Sequence, residues 1–291
     1  MHLIVGIATS GRRDLLPLVV EYFACQTRLP DAIYVCPAKD ADYDQTANGD
    51  FPCPIHVVRG PVGLPAQRNA ILAAATQADL IVFFDDDFLA EKAFLEELEA
   101  LFLNNPELVM ATGDVVADGA NGPGIRFDEA RSIIESLPPL PPASTRSVFN
   151  AYGCNMAVRT AVATQYRVKF DEALPLYGWW EDVDFSRRMA PYGQILESNR
   201  LRGVHMGSKS GRTPGQRLGY SQVANVAYMV QKGSVPWNVG AIRIARNVFA
   251  NTVRQFKPES WVDRRGRFIG NIKALVDCCR GPANPGKILD L

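Results

Sequence analysis

Two patterns of hydrophobic and polar residues alternate over the first hundred positions of the chain. Short apolar runs rich in β-branched residues, typical of strands, are followed by segments in which apolar residues recur every three or four positions, typical of helices. The predicted strands span residues 2–8, 31–37, 54–59 and the run from residue 80, and the predicted helices span residues 14–23, 64–75 and 91–103. This alternation predicts an α/β fold of the Rossmann type, with a mostly parallel central sheet and helices on both faces.

The fourth of these strands carries the most distinctive polar group. Five apolar residues beginning at Leu80 lead into Asp85, Asp86 and Asp87. An uninterrupted apolar run predicts a strand buried on both faces, which would place the acids at the carboxyl edge of the sheet, where open α/β sheets bind ligands. Adjacent carboxylates repel one another, so they either take up protons or bind a cation, and oxygen ligands favour Mg²⁺ or Mn²⁺. A solvated acidic turn is the alternative.

The same edge should receive residues from the neighbouring segments. Thr9 ends the first strand, the loop after Pro37 follows the second, and Arg68 lies on the helix before the acidic strand. The first helix is predicted to begin with an acidic cap at Asp14 and a proline in its first turn. We expect a ligand crevice lined by these groups and by the aspartates.

The middle of the chain is less regular. A strand is predicted at residues 108–116 and a strand pattern returns at 147–159. Between them, residues 118–144 are rich in glycine and proline and are predicted to form a loop inserted as a lid.

A second acidic cluster follows two tryptophans. Trp179 and Trp180 precede Glu181, Asp182 and Asp184, which should lie in the first turn of a helix. Acids there favour the helix dipole whatever else they do. Flat apolar faces beside a carboxylate also suit a sugar site, where burial raises the pKa of a general base.

A histidine followed by a cationic loop is the third candidate. His205 ends an apolar and basic segment, and Lys209 and Arg212 lie in the Gly/Ser-rich stretch after it. Such a loop favours an anion, and a diphosphate would suit it. The six cysteines have no C-x-x-C spacing, so zinc and redox motifs are not expected.

Charge is unevenly distributed although the formal net charge is zero. From His205 onward there are fourteen Lys or Arg against four Asp or Glu. Residues 240–257 predict a helix with Arg243, Arg246, Arg254 and Lys257 on one arc and apolar residues opposite. Such a helix either lies on an anionic membrane or packs on the body with a solvated basic face.

The composition, 47% hydrophobic over 291 residues, predicts a large core. The chain shows no apolar run of membrane-spanning length and no signal-peptide pattern at its start, so a cytoplasmic protein is expected. A peripheral position at the inner face of the plasma membrane is compatible with this expectation. No nucleic-acid partner is expected.

The order of these motifs from about residue 3 to about residue 230 resembles family 2 inverting glycosyltransferases of the GT-A fold. The correspondence includes Thr9, Arg68-Asn69, the Asp85-Asp86-Asp87 group in place of the family's D-x-D, and the strand from Gly153 to Met156. It continues with Phe170-Asp171-Glu172, Gly178, Glu181-Asp182 and Arg187-Arg188. One departure is that Asp40 comes later after the second strand than the family's aspartate does, which leaves the nucleotide open.

The resemblance implies roles for individual residues. Asp182 would be the catalytic base, with Glu181 beside it, and Asp86, Asp87 and His205 would bind Mn²⁺ or Mg²⁺. The resemblance and the motifs together assign the nucleotide-sugar site to Thr9, Asp40, Arg68, Asp85, Asp86, Lys209 and Arg212. They assign the acceptor site to Asn155, Trp179 and Trp180.

The resulting hypothesis is a metal-dependent hexosyltransferase that moves a sugar from a nucleotide-diphosphate sugar to a hydroxyl of a glycan or polyprenyl-pyrophosphate-linked acceptor in cell-surface or exopolysaccharide biosynthesis. Its domains would be a GT-A domain at residues 1–232, divided into a nucleotide-binding half (1–116) and an acceptor-binding half (117–232), and a basic helical extension at 233–291. A sugar-nucleotide nucleotidyltransferase and a catalytically silent binding protein of the same fold are the alternatives.

Overall fold

The structure is a computed structural model that describes residues 1–291, apart from the side chain of Gln45. A curled mixed sheet forms its centre, in the order β3-β2-β1-β4-β8-β6-β9-β5, with β7 paired to β9. The strands are β1 (Leu3–Thr9), β2 (Ala32–Pro37), β3 (Ile55–Val57), β4 (Leu80–Asp85), β5 (Phe88–Ala90), β6 (Leu108–Asp118), β7 (Thr145–Ser147), β8 (Asn155–Arg159) and β9 (Gln194–His205).

Helices lie around this sheet and continue past it at the C-terminus. They are α1 (Leu16–Tyr22), α2 (Leu64–Ala74), α3 (Phe94–Asn104), α4 (Phe127–Glu135), α5 (Thr160–Gln165), α6 (Glu181–Met189), α7 (Gly215–Gln231), α8 (Trp237–Arg254) and α9 (Arg264–Arg280). In the part of the chain described here, none of the helices is long and apolar enough to cross a membrane.

The strand predicted from the apolar run at Leu80 is confirmed, and it is buried on both faces. Leu80, Val82 and Phe84 belong to one hydrophobic cluster, with residues of α1 and α3, whereas Ile81 and Phe83 belong to a second, with residues of α2 and α6. Successive side chains of a strand point to opposite faces, so both faces need a helical layer. The α/β fold with helices on both faces is therefore as predicted.

The strands β3, β2, β1 and β4 are mutually parallel, and the next strand, β8, runs antiparallel to β4 and to β6. The carboxyl ends of parallel strands lie at the same edge of a sheet, so Thr9, Pro37 and Asp85, the last residues of β1, β2 and β4, lie at one edge. The strand β9 is parallel to β6, and its last residue, His205, is paired with the last residue of β6, Asp118. The sheet topology thus positions the predicted site residues.

Three local predictions were wrong. The helix α1 begins with Leu15 as N-cap and has no side-chain cap, so Asp14 does not cap it. The stretch 118–144 contains the nine-residue helix α4, whose Ala130 and Ile134 are buried in the core. The strand pattern at 147–159 is split, because β7 ends at Ser147 and β8 begins at Asn155.

The helices α7, α8 and α9 pack against one another. Ile244 and Val248 of α8 contact a cluster that includes Tyr220 and Ala274. The buried amide of Asn251 donates to Gln222 Oε1 at 2.9 Å and to Asn271 Oδ1 at 2.8 Å, which joins all three helices by hydrogen bonds. The predicted boundary at residue 232 therefore falls between helices that share one core.

Candidate active site

The acidic strand end forms the centre of the site. Asp85, Asp87 and His205 each offer one ligand atom, and these atoms lie within 4.8 Å of one another. Asp87 is 1% exposed, and its buried Oδ1 lies 3.1 Å from Arg12 Nη1 and 3.4 Å from His205 Nε2 without forming a hydrogen bond of good geometry. Two carboxylates and an imidazole grouped in this way fit a divalent cation such as Mn²⁺ or Mg²⁺.

Asp86, which the sequence assigned to the metal, lies outside this cluster. Its Oδ2 accepts a hydrogen bond of 2.6 Å from the Thr9 hydroxyl, and its Oδ1 is ion-paired with Arg12. Asp86 and Asp87 form the turn between β4 and β5, and in this turn Asp87 faces Asp85 and His205 whereas Asp86 faces Thr9 and Arg12. The geometry thus groups Asp85, and not Asp86, with Asp87 and His205, and the Thr9 hydroxyl is bonded to the protein.

Two cations, His205 and Arg12, balance the negative charge of the aspartates. Burial alone would lower the pKa of His205, but the surrounding carboxylates of Asp118, Asp87 and Asp85 raise it to about 10. Burial raises the pKa of Asp86, whereas for Asp87 the nearby His205 and Arg12 outweigh burial and lower its pKa. A protonated histidine thus supplies positive charge where a cation would otherwise do so.

Two residues of this cluster were missed from the sequence. Asp118 Oδ1 accepts a hydrogen bond of 2.9 Å from His205 Nδ1, which leaves Nε2 turned toward the aspartates. Arg12 Nη1 lies 3.1 Å from Asp87 Oδ1, and its guanidinium also donates to the carbonyl oxygens of Ser208 and Ser210. A signal for Asp118 exists in principle, because a ligating histidine commonly donates its other N–H to a carboxylate.

Arg68 connects the aspartate cluster to the second acidic group. It is 1% exposed, it is ion-paired with Glu181, and its Nη2 donates to Asp85 Oδ1 at 3.0 Å and to the Gly153 carbonyl at 2.7 Å. Because Arg68 is enclosed by protein, it holds Glu181, Asp85 and Gly153 in position and presents no exposed group to a ligand. Its predicted position near a nucleotide would therefore act through these neighbours.

Asp182 is held by backbone donors. Its Oδ2 accepts from the Gly153 N–H at 3.0 Å and its Oδ1 from the Val183 N–H at 2.9 Å. Burial raises the pKa of Asp182 against the opposing effect of these bonds. Since the carbonyl of the same residue, Gly153, accepts from Arg68, the backbone of this one residue links Asp182 to the aspartate cluster through Arg68. A Cβ at residue 153 would lie 3.3 Å from the Cβ of Asp182, so this approach is close enough to favour glycine.

Glu181, by contrast, is enclosed. It is 3% exposed, burial raises its pKa to about 8, and its second oxygen has no hydrogen-bond partner among the described residues. Its neighbour Trp180 has a φ of 70°, a left-handed conformation that is unusual for a residue with a bulky side chain. This turn sets Trp179 and Trp180, both half-buried, beside the start of α6.

Two other predicted residues, Asp40 and Asn155, are not directed into the site. Asp40 is exposed on the turn after β2 and pairs with Arg59, whereas the neighbouring Asp42 is buried and accepts from the Gly11 N–H at 3.0 Å. Asn155 is fully buried between β8 and β6, where its Oδ1 accepts from the Gly113 N–H at 3.1 Å. A fully buried side chain with these partners does not fit its predicted role in acceptor binding.

The cationic loop lies next to the cluster, as predicted. Ser208 N–H donates to Asp87 Oδ2 at 2.7 Å, and Lys209 Nζ lies 3.1 Å from the Gly119 carbonyl. Burial, together with Arg212 and Arg267, lowers the pKa of Lys209 to about 8, and the pKa of Arg267 is lowered to about 10 by burial and by Arg264 and Arg212. Lys209 and Arg212 in the loop after β9 and Arg267 on α9 therefore lie near one another. Such a group of cations favours the binding of a polyanion.

Known proteins of the same fold are found among solved structures. The crystal structure of S. aureus TarS 1–349 in complex with UDP-GlcNAc matches with a TM-score of 0.58 and 16% identity over 99% of this chain and 83% of that one. Mannosyltransferase PcManGT from Pyrobaculum calidifontis in complex with GDP-Man and Mn²⁺ matches with a TM-score of 0.59 and 12% identity over 95% of this chain and 87% of that one. A longer TarS structure matches with a TM-score of 0.55 and 15% identity over 89% of this chain, and the match covers 44% of that longer chain. At these identities the likeness shows the fold, which is the GT-A fold of glycosyltransferases.

The sequence itself narrows this class. The model of glycosyl transferase family 2 matches residues 26–172. The chain belongs to glycosyl transferase family 2, and it is a glycosyltransferase. No curated protein matches its sequence. The matched segment includes Arg68 and the three aspartates but ends before Glu181, Asp182 and His205, so the roles of these three rest on geometry.

Proposed function

We propose that this glycosyltransferase moves a sugar from a nucleotide-diphosphate sugar to an acceptor hydroxyl with the help of a divalent cation bound by Asp85, Asp87 and His205. The observation that carries the proposal is that Asp85 at the end of β4, Asp87 in the turn after it and His205 at the end of β9 each offer one ligand atom, and these atoms lie within 4.8 Å of one another. The complexes of TarS with UDP-GlcNAc and of PcManGT with GDP-Man and Mn²⁺ support a donor of this class.

A divalent cation at this site would neutralise charge on the leaving diphosphate. The protein's own contribution comes from the loop after β9, where Lys209 and Arg212 lie near Asp87, together with Arg267 of α9. Fixed cations that face developing negative charge stabilise it without reorganisation. These three residues are therefore proposed to bind the diphosphate.

Asp182 is the proposed catalytic base. An acceptor hydroxyl has a pKa far above neutrality, so it needs a carboxylate within hydrogen-bond reach, and such proton transfer typically contributes roughly 100- to 10,000-fold. Both oxygens of Asp182 are fixed by backbone N–H groups, and burial makes it more basic than a solvated aspartate. Attack from the side opposite the diphosphate would invert the anomeric centre. Glu181 is proposed to act through Arg68, as a positioning residue.

Thermal-shift screening tests the donor and the metal together. We expect a UDP-sugar or a GDP-sugar with Mn²⁺ to raise the melting temperature by mass action, because a hundredfold excess over Kd adds about 2.7 kcal/mol to the free energy of unfolding. The variants Asp87→Asn and His205→Ala should lose the part of the shift that requires Mn²⁺. A melting temperature unchanged by every nucleotide, with and without the metal, would contradict the proposal.

A cytoplasmic enzyme that builds a cell-surface glycan or exopolysaccharide on a glycan or lipid-linked acceptor would work at a membrane, and α8 offers a surface for it. Although Ile244 and Val248 pack inward, Ile242, Phe249 and Val253 are exposed on one side of the helix, beside the exposed Arg246. The exposed Phe256 and Lys257 follow directly after the end of α8. We propose that this side lies on anionic lipid. Flotation with acidic vesicles should show salt-sensitive binding that Phe249→Ser with Phe256→Ser removes. Equal flotation of both proteins would contradict it.

A further inference from the structure

One arginine of the basic C-terminal region lies at the acceptor side of the site. The guanidinium carbon of Arg243, on α8, lies 5.5 Å from the ring centroid of Trp179 and 5.1 Å from that of Trp180. These tryptophans directly precede Glu181 and the proposed base, Asp182. The sequence placed Arg243 on a solvated or lipid-facing arc, but the fold turns it toward the tryptophans.

Arg243 has no carboxylate partner, unlike two other arginines of the site. Arg12 is paired with Asp86 and Asp87, and Arg68 with Glu181 and Asp85. Among the residues described, Arg243 forms no ion pair, and its Nε is buried without a hydrogen-bond partner. The two tryptophan faces stabilise the cation, but they do not accept the in-plane hydrogen bonds that a guanidinium can donate.

An unused guanidinium on an aromatic platform is suited to an anion. It presents donors in a planar fork that matches a carboxylate or a phosphate in a bidentate manner. Asp182 is near enough to act on the Arg243 charge, yet it forms no ion pair with it. The guanidinium is therefore not neutralised by a carboxylate of the protein, and it can pair with a group that brings its own negative charge.

We propose that Arg243 binds an anionic group, a phosphate or a carboxylate, on the acceptor, and so holds the acceptor against Trp179 with its hydroxyl at Asp182. This inference rests on the proposed function, because it takes the tryptophan side of Asp182 as the acceptor side. It defines the acceptor class as a negatively charged glycan or glycan phosphate.

The test uses the full chain with the donor site filled. Saturating UDP and Mg²⁺ cover Lys209, Arg212 and Arg267, and tryptophan fluorescence is then followed as inorganic phosphate or glucuronate is added, with glucose as the neutral probe. We expect a saturable response to at least one anion and none to glucose. In Arg243→Gln that response should weaken about tenfold or more, since charge-assisted bidentate bonds are lost. Arg243→Lys should keep part of it.

The matched control is Arg265→Gln, an exposed arginine on α9, which should bind the anion as the unaltered protein does. Two results would overturn the proposal: no saturable response to either anion with the donor site filled, or an equal response in Arg243→Gln. A purely structural stack would lower the melting temperature of Arg243→Gln and leave anion affinity unchanged. Failure of UDP and Mg²⁺ to bind would instead count against the proposed function, and phosphate and glucuronate distinguish the two anion classes.

Discussion

His205 Nδ1 lies 2.9 Å from Asp118 Oδ1, and this hydrogen bond turns the opposite nitrogen of the ring toward Asp85 and Asp87. The carboxylate of Asp118 is itself fixed by the Ala120 N–H at 2.9 Å and by the Tyr152 hydroxyl at 3.2 Å. The imidazole of His205 is thus oriented by Asp118, which is not one of the three clustered residues Asp85, Asp87 and His205.

Removal of this orienting group should weaken metal binding. We expect Asp118→Ala to raise the Kd for Mn²⁺ roughly 10- to 100-fold, as is typical for a carboxylate behind a ligating histidine. Calorimetric titration of Mn²⁺ in the presence of a nucleoside diphosphate measures it. Asp114→Ala, an exposed aspartate on the same strand, is the control. Equal affinities in both variants would show that Asp118 does not orient the ligand.

Replacement of the proposed base should separate chemistry from binding. Asp182→Asn keeps the size of the side chain and can still accept from Gly153 N–H, but it cannot take a proton from the acceptor. We expect transfer to fall by roughly 100- to 10,000-fold. Nucleotide Kd, measured in parallel by calorimetry, should change little. Loss of nucleotide binding with residual transfer would contradict the assignment.

Arg68 should matter for stability as well as for the site. Arg68→Met leaves Glu181 buried without its cation, which typically costs about 3–5 kcal/mol. Urea unfolding measures the loss. The double variant Arg68→Met with Glu181→Gln should recover part of it, because no unpaired charge remains. A single variant that costs less than about 1 kcal/mol would show that the pair is not a central support.

Nucleotide affinity should depend on pH through Lys209. Its pKa is lowered to about 8 by burial and by two neighbouring arginines, and a bound diphosphate would raise it again. Below about pH 8 the ammonium is already charged; above it, binding requires proton uptake, so affinity falls by up to about tenfold per pH unit. Calorimetry across this range measures the effect. The variant Lys209→Arg stays charged and should show a flatter profile, and a flat profile for the unaltered protein would contradict the role.

The sequence predicted the parts of the site that lie along single elements. The apolar run before Asp85 predicts a strand buried on both faces, and parallel topology then places its acids beside Thr9. These inferences need only local periodicity and the geometry of parallel sheets. The assignment of His205 to a metal came from the family resemblance, whereas the residues after it predicted only a loop that favours an anion.

Contacts between distant segments could not be predicted. Arg12 and Asp118 reach the cluster from positions far along the chain, and nothing local distinguishes them from other surface charges. Three consecutive aspartates also do not indicate which of them face the same side; that depends on the turn after β4, which directs Asp87 toward Asp85 and His205 and Asp86 toward Thr9 and Arg12. The helix α4 was missed since glycine and proline on both sides of it outweighed its short apolar repeat.

The backbone of Gly153 has a consequence for how this site can vary. Its N–H, in the peptide bond with Tyr152, fixes Asp182, and its carbonyl, in the peptide bond with Cys154, accepts from Arg68, which also contacts Asp85. A displacement of this residue would therefore disturb the proposed base and the aspartate cluster together. We expect differences in acceptor preference to arise at the tryptophan turn and on α8, where side chains can be exchanged without moving Gly153.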